Sequence, residues 1–343
     1  MNAVRPTLSI VIPAYNAENS IRRCLDSVNG DFEGKLEIVV VDDGSTDLTQ
    51  SIVRNYTLEN QPVRLISQKN QGADCARTTG IDSSRGEYVL CVDADDYMLP
   101  GAISHLLQYI EDNPDVDMIW FQFCREDSRP AASDRGITAL SKRGLLEGSD
   151  LQQVRLNIYQ GLSNAIWNKA IRRCALLDEG IVQRARYYGE DFSRLLLALP
   201  KINSCLVLND VFYCYVDTEG SISKRLKAIY LQDIDSVSRQ LLQVAQIDGT
   251  KGIEAAGTGI LAQYYNLLNL ACDAHDDDVI ATVAGSAQNA LKAANLPTNF
   301  LPSNRKLRLL YHLIMRGNTR AIKLFIPVIE FIKPLLVRIE GSR

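Results

Sequence analysis

Histidine is scarce in this chain: three in 343 residues (His105, His275, His312), each on a stretch of helical pattern. No imidazole is therefore assigned to a metal, and metal chemistry falls to carboxylates. The eight cysteines form no Cys-x-x-Cys pair, and several lie in apolar strands or on helix faces, as small buried hydrophobes do. A disulfide scaffold is excluded, and a reduced, cytosolic setting is expected. No apolar run reaches membrane-spanning length, and a first strand beginning by Leu8 leaves no place for a signal peptide. A net charge of -4 speaks against a general nucleic-acid binder. No period of roughly 20–50 residues marks internal repeats.

What remains is an ordinary globular composition, 46% hydrophobic and 23% charged, long enough for one large α/β domain plus an extension. The first third alternates regularly. Strands are expected over 8–12, 36–41, 63–67, 88–92 and 116–123, and helices over 17–28, 48–58, 72–83 and 101–113. This order predicts a mostly parallel, right-handed wound sheet. Residues 126–150, polar and broken by Pro130, Gly136, Gly144 and Gly148, read as a loop or insertion. Helical pattern resumes over 151–177 and 191–199. A strand pair over 204–208 and 211–216 is expected to turn at Asn209-Asp210. From 224 to 296 the pattern is helical, with Gly249, Gly252 and Gly257 marking a break. The expected division is a catalytic domain over 1–223 and a helical region over 224–343.

The chemistry gathers at strand ends. An apolar strand runs into Asp93-Ala94-Asp95-Asp96, and alternation along an extended chain would place Asp93 and Asp95 on one side. Two like charges that close call for a cation, most simply Mg²⁺ or Mn²⁺, whose shell substrate phosphates and water complete. A second strand, Leu36 to Val41, ends in Asp42-Asp43-Gly44-Ser45-Thr46-Asp47, where Ser45, Thr46 or Asp47 can cap the next helix. Asp96, ahead of Pro100, reads as a helix cap. Two acidic strand ends on one rim of an open α/β sheet make a polar cleft at its carboxyl edge.

These stretches resemble family 2 glycosyltransferases of the GT-A fold, in order: Leu8 to Glu18 (LSIVIPAYNAE), Val39 to Asp47 (VVVDDGSTD), Gln71 to Arg77 (QGADCAR), Asp93 to Asp96, and Tyr188-Gly189-Glu190-Asp191. The likeness covers roughly residues 7 to 223. It implies an inverting hexosyl- or N-acetylhexosaminyl-transferase of bacterial surface-polysaccharide synthesis (capsule, O-antigen or exopolysaccharide), using a nucleoside-diphosphate sugar and a divalent metal.

The same resemblance implies roles. Pro13 and Tyr15 would contact the nucleotide, with Glu18 and Asp42 by the base or ribose. Asp42 accepting the N3–H of uracil would favour UDP. Tyr15 reads otherwise as core, and Asp42 as a turn cap. Arg77 would pair with the pyrophosphate, or equally sit on the surface or bridge to Asp74 or Asp95. Asp95 would be the direct metal ligand, and Asp93 would hold ribose or a metal-bound water. Asp191 is the expected general base, with Glu190 as the alternative. A helix start would keep Asp191 ionised. Trp167, in Trp167-Asn168-Lys169, is either an acceptor platform or a core residue.

One departure stands out. Before Gly220-Ser221-Ile222-Ser223 the family often carries a Tyr-Arg pair, yet this chain has Val216-Asp217-Thr218-Glu219 with no basic residue. Lys224 or Arg225 is the available substitute. The tail from Arg305 holds nine Lys/Arg against Glu330 and Glu340, about +7 against -11 for the rest. Its basic residues recur among large apolar ones, as in helices lying in an anionic membrane interface; packing on the domain or a dimer contact are the alternatives. A peripheral place on the inner face of the cytoplasmic membrane, near a glycan or lipid-linked acceptor, follows from the first reading. The rival functions are a sugar nucleotidyltransferase, which would want a Gly-rich basic loop where Pro13-Ala14-Tyr15-Asn16 stands, and a silent nucleotide-binding module.

Overall fold

The computed structural model describes residues 5–59, 63–126, 134–177, 185, 188–217 and 229–328. By internal contacts the chain divides into Met1–Arg155 with Ser163–Glu219, and Leu156–Leu162 with Gly220–Arg343.

The first unit begins β1 (Leu8–Ala14), α1 (Ile21–Val28), β2 (Leu36–Asp42), α2 (Thr49–Glu59), β3 (Val63–Ser67), α3 (Ala73–Ser83) and β4 (Tyr88–Cys91). Then follow β5 (Tyr97–Met98), α4 (Ala102–Asp112), β6 (Met118–Arg125), α5 (Arg135–Thr138), β7 (Gly144–Glu147) and α6 (Gly148–Tyr159), whose end passes into the second unit. β8 (Lys169–Arg172), α7 (Arg173–Leu176), α8 (Glu190–Ala198) and β9 (Ser204–Tyr215) complete it. Among the described residues, nine strands form one sheet in the order β3-β2-β1-β4-β8-β6-β9-β5, with β7 added on β9. β3, β2, β1 and β4 are mutually parallel, which is why β1 and β2 read as near-continuous apolar runs buried on both faces. Register fixes the working edge: Ala14 lies opposite Asp42, and Asp42 opposite Ser67. Gly80 lets α3 lie close on this sheet, since a Cβ there would come within 2.3 Å of Val11 Cγ1.

The helix expected through 151–177 is interrupted. β8 lies inside that span and inserts antiparallel between β4 and β6. The strand pair expected to turn at Asn209-Asp210 is one strand, β9, running parallel to β6 with its register shifting between Trp120 and Phe123. Asn209 and Asp210 thus occupy an irregularity rather than a hairpin tip. Within the expected loop 126–150, the described part carries α5 and β7, and 127–133 lie outside the described residues.

The second unit is helical: α9 (Ile229–Ala245), α10 (Gly249–Asp273), α11 (Asp277–Ala293), α12 (Arg305–Met315) and a further helical run over 319–328. The break falls at 246–248, just before Gly249. Gly252 and Gly257, expected to mark it, lie inside α10. Lys224, Arg225 and Gly220-Ser221-Ile222-Ser223 lie outside the described residues, as does the tail beyond 328.

Candidate active site

The loop after β1 is tied to the loop after β2. Asn16 N–H donates to Ser45 Oγ (3.0 Å), and Thr46 N–H donates to Asn16 Oδ1 (2.9 Å). Glu18 N–H donates to Asp47 Oδ2 (3.0 Å), while Leu48 N–H donates to Glu18 Oε2 (3.0 Å), so Glu18 serves the start of α2. Asp47 completes that cap by accepting from Thr49 N–H. Pro13 is buried within β1, whereas Tyr15 is 51% exposed, which removes the core reading and leaves an aromatic face at the rim. Asp42 is buried; its Oδ1 accepts from Ser45 N–H (3.2 Å) and its Oδ2 from Gln50 Nε2 (3.2 Å), the hydrogen bonds of a turn. Its neighbour Asp43, which the sequence did not single out, accepts from Gln68 Nε2 (2.8 Å), Gln71 N–H (3.0 Å) and Gly72 N–H (2.8 Å). That carboxylate pins the entry to α3.

The acidic segment after β4 is not an extended strand. Asp96 N–H donates to Asp93 C=O (3.1 Å), closing a turn, so same-side alternation does not apply to Asp93 and Asp95. Nor is Asp96 a helix cap. It turns inward, accepting from Tyr213 O–H (2.6 Å) and Val216 N–H (2.7 Å). Burial, with Asp93 next, pushes its carboxyl up to about 8. The Tyr213 hydroxyl also accepts from Asp93 N–H (3.2 Å), so one phenol fixes both ends of the turn. Trp167 is buried against that phenol, stacked on Tyr213 (centroids 4.5 Å apart, 19°) and edge-on to Phe123. The core alternative therefore describes Trp167, and its contact with the site passes through Tyr213.

Arg77 joins the two acidic motifs. It is 4% exposed on α3, with Nη2 donating to Asp93 Oδ1 (2.7 Å) and Nη1 lying 2.8 Å from Asp191 Oδ1 and 3.5 Å from Glu190 Oε1. Burial opposes its charge, but Asp191, Asp93 and Glu190 outweigh that and hold the guanidinium firmly protonated. Asp191 is the second residue of α8, after Gly189 at φ 77°. Burial pushes its carboxyl up to about 7, with Asp93 and Glu190 adding and Arg77 opposing. The helix start was expected to keep Asp191 ionised; desolvation outweighs it. Burial raises Glu190 as well. Asp191 Oδ1 is buried against Arg77 Nη1, while the side chain as a whole keeps 20% of its surface exposed.

No group of three or more His, Cys, Asp or Glu among the described residues is arranged to hold a metal by itself. Asp93 and Asp95 offer hard carboxylate oxygens, which suit an ion that takes few protein ligands and completes its shell with phosphate and water. Asp93 also pairs with Arg77.

A wound parallel sheet carrying its acidic residues along the carboxyl edge is GT-A architecture. Residues 9–179 match the domain described as Glycosyl transferase family 2, and the chain belongs to that family. It is 33% identical over 186 residues to the uncharacterized glycosyltransferase YibD of Escherichia coli (strain K12), covering 54% of each protein. It is 25% identical to the succinoglycan biosynthesis protein ExoO of Rhizobium meliloti (strain 1021), over 71% of this chain and 70% of that one. The fold is shared with S. aureus TarS residues 1–349, at TM-score 0.68 and 19% identity over 94% of this chain and 90% of that one. The chain spans about half or less of the length of the first curated relatives it matches.

Proposed function

We propose that the protein is an inverting glycosyltransferase that moves a hexosyl or N-acetylhexosaminyl group from a nucleoside diphosphate, UDP by preference, to a hydroxyl of a glycan or lipid-linked acceptor in surface-polysaccharide synthesis. One observation carries this reading: a single buried guanidinium, Arg77, gathers Asp93 of the donor-side turn and Asp191 of α8. In the proposed step the acceptor oxygen attacks the anomeric carbon as its proton passes to the Asp191 carboxylate. The bond from that carbon to the diphosphate oxygen breaks, and the nucleoside diphosphate leaves. Arg77 opposes the burial that favours the protonated base, and Tyr213 holds the acidic turn in place. Asp95, with Asp93, would hold Mg²⁺ or Mn²⁺, which when bound offsets charge on the departing diphosphate. Tyr15 supplies an exposed ring for the nucleoside. The solved complex of TarS with UDP-GlcNAc supports a UDP-sugar; Asp42, occupied by Ser45 and Gln50, supports that choice less.

The test is thermal unfolding with UDP, GDP, dTDP and CMP, with and without Mn²⁺, on wild type and Asp95→Ala. A nucleotide at about 100 times its dissociation constant adds roughly 2.7 kcal/mol. UDP stabilisation that needs Mn²⁺ and disappears in Asp95→Ala is expected. No shift with any nucleotide would mean that the cleft is not a working donor site and would remove the reading.

We further propose that the protein works in the cytoplasm against the inner face of the membrane. Over 305–328 there are six Lys/Arg and no Asp or Glu, and Leu309, Leu324 and Val328 are exposed beside them. None of the described helices is long and apolar enough to cross a membrane, so the contact would be at the surface. Co-sedimentation with anionic but not neutral vesicles is expected, and loss of the difference between the two would remove the idea.

A further inference from the structure

Asp-x-x-Arg recurs in the sequence, and the fold sets two of the copies against each other. Helix α3 carries Asp74 and Arg77; helix α8 carries Asp191 and Arg194. Spacing of three puts each pair on one face of its helix. The pairing is reciprocal, Arg77 with Asp191 and Arg194 with Asp74. The second pair is buried and held by several hydrogen bonds. Arg194 Nε and Nη2 donate to Asp74 Oδ1 (3.0 and 2.6 Å), and Nη2 also donates to Asp74 C=O (3.3 Å) and Thr78 Oγ1 (2.5 Å). No expected substrate contact calls for a guanidinium there.

We propose that Asp74 and Arg194 are positioning residues for the transfer reaction. Their pair sets the register of α8 on α3, and so holds the Asp191 carboxylate within reach of Arg77 and of the acceptor hydroxyl. The inference rests on Asp191 being the base. Gly189, just before α8, has little conformational restraint of its own, so the first turn takes its position from the side chains α8 engages, Arg194 further along among them. Displacement of a base by about 1 Å lowers turnover by roughly 100-fold.

Removing one partner alone would strand a buried charge and risk unfolding, whereas replacing both with apolar side chains is generally tolerated. The decisive variant is therefore Asp74→Leu/Arg194→Met, compared with wild type and Asp191→Asn. Three quantities are read: the melting temperature, amide hydrogen exchange over 190–198, and UDP release from UDP-N-acetylglucosamine with Mn²⁺. The double variant should melt within a few degrees of wild type. Exchange in the first turn of α8 should rise roughly tenfold or more, and kcat should fall at least as far with the donor KM unchanged. A merely structural pair would leave α8 exchange and kcat intact once the fold is retained, and that result overturns the proposal. Asp191→Asn should lose turnover with wild-type exchange. If it keeps turnover while the double variant still loosens α8, the assignment of the base fails and the register role stands. If wild type releases no UDP from this donor, exchange alone decides the matter.

Discussion

The pH dependence of turnover follows from one burial. As the proposed base, Asp191, lifted to about 7, must be ionised to accept a proton. Two units below that value about 1 in 100 of the carboxyls is ionised, so kcat/KM should fall roughly 100-fold from its plateau above pH 8 to pH 5, about tenfold per unit. An aspartate at the ordinary 3.8 would still be about nine-tenths ionised at pH 5 and would show almost no loss. The assay is UDP release with subsaturating UDP-N-acetylglucosamine and saturating Mn²⁺ between pH 5 and 9, with melting temperature followed across the same range. Arg77 opposes the upward shift, so Arg77→Met should move the acid limb to higher pH. A profile flat from pH 5 to 8, or a limb that ignores Arg77, would refute the assignment of the base. Stability has the opposite sign. A carboxyl raised in the folded state keeps its proton above pH 3.8 while the unfolded chain loses it, so this contribution to stability is lost as pH rises from about 3.8 to about 7. Asp191→Asn should thus melt higher than wild type at pH 8 while losing turnover.

Two further substitutions probe the scaffold. Tyr213→Phe removes the hydroxyl that donates to Asp96 and accepts from Asp93 N–H, leaving buried groups without partners. Urea unfolding should show a loss of roughly 1–3 kcal/mol, and the UDP-dependent thermal shift should weaken with it. In α10, a Cβ on Gly259 would lie 1.9 Å from Tyr159 C=O, so Gly259→Ala should destabilise by about 1–3 kcal/mol. Gly285 on α11 meets nothing within 4 Å, and Gly285→Ala should be neutral or stabilise by up to about 1 kcal/mol. Equal effects at the two glycines would contradict the packing described.

The sequence made β1 to β4 and the helices between them legible to within a few residues, because their signals are local: a β-branched run, a turn residue, an amphipathic stretch. It failed where pairing partners are distant. β8 is four residues long and exists only because β4 and β6 flank it. β9 passes through Asn209-Asp210 because β6 continues beside it, and tertiary pairing overrides the local turn preference. At the site, the carboxylates were legible as residue types. Their states were not, since burial and neighbours set them: Asp96 turns away from the cleft, and Asp191 is lifted where a helix start alone would lower it. The Asp-x-x-Arg copies on α3 and α8 were readable signals, but nothing local says that these two face each other.

The charge balance of the two rungs separates structure from function. Asp74 and Arg194 are matched one to one, buried, with Thr78 and a backbone carbonyl taking the remaining Arg194 Nη2 contacts; nothing there asks for a ligand. One step along the same helices, Arg77 faces Asp93, Glu190 and Asp191 together, three carboxylates to one guanidinium. Stability alone gives no reason to gather such an excess, because each added, partly buried carboxylate raises the energy of the others. The excess is relieved by a proton or by a bound cation. The proposed transfer would use both, a proton taken from the acceptor and a cation set against the leaving diphosphate. The unbalanced rung, held in register by the balanced one, is therefore where the chemistry is expected.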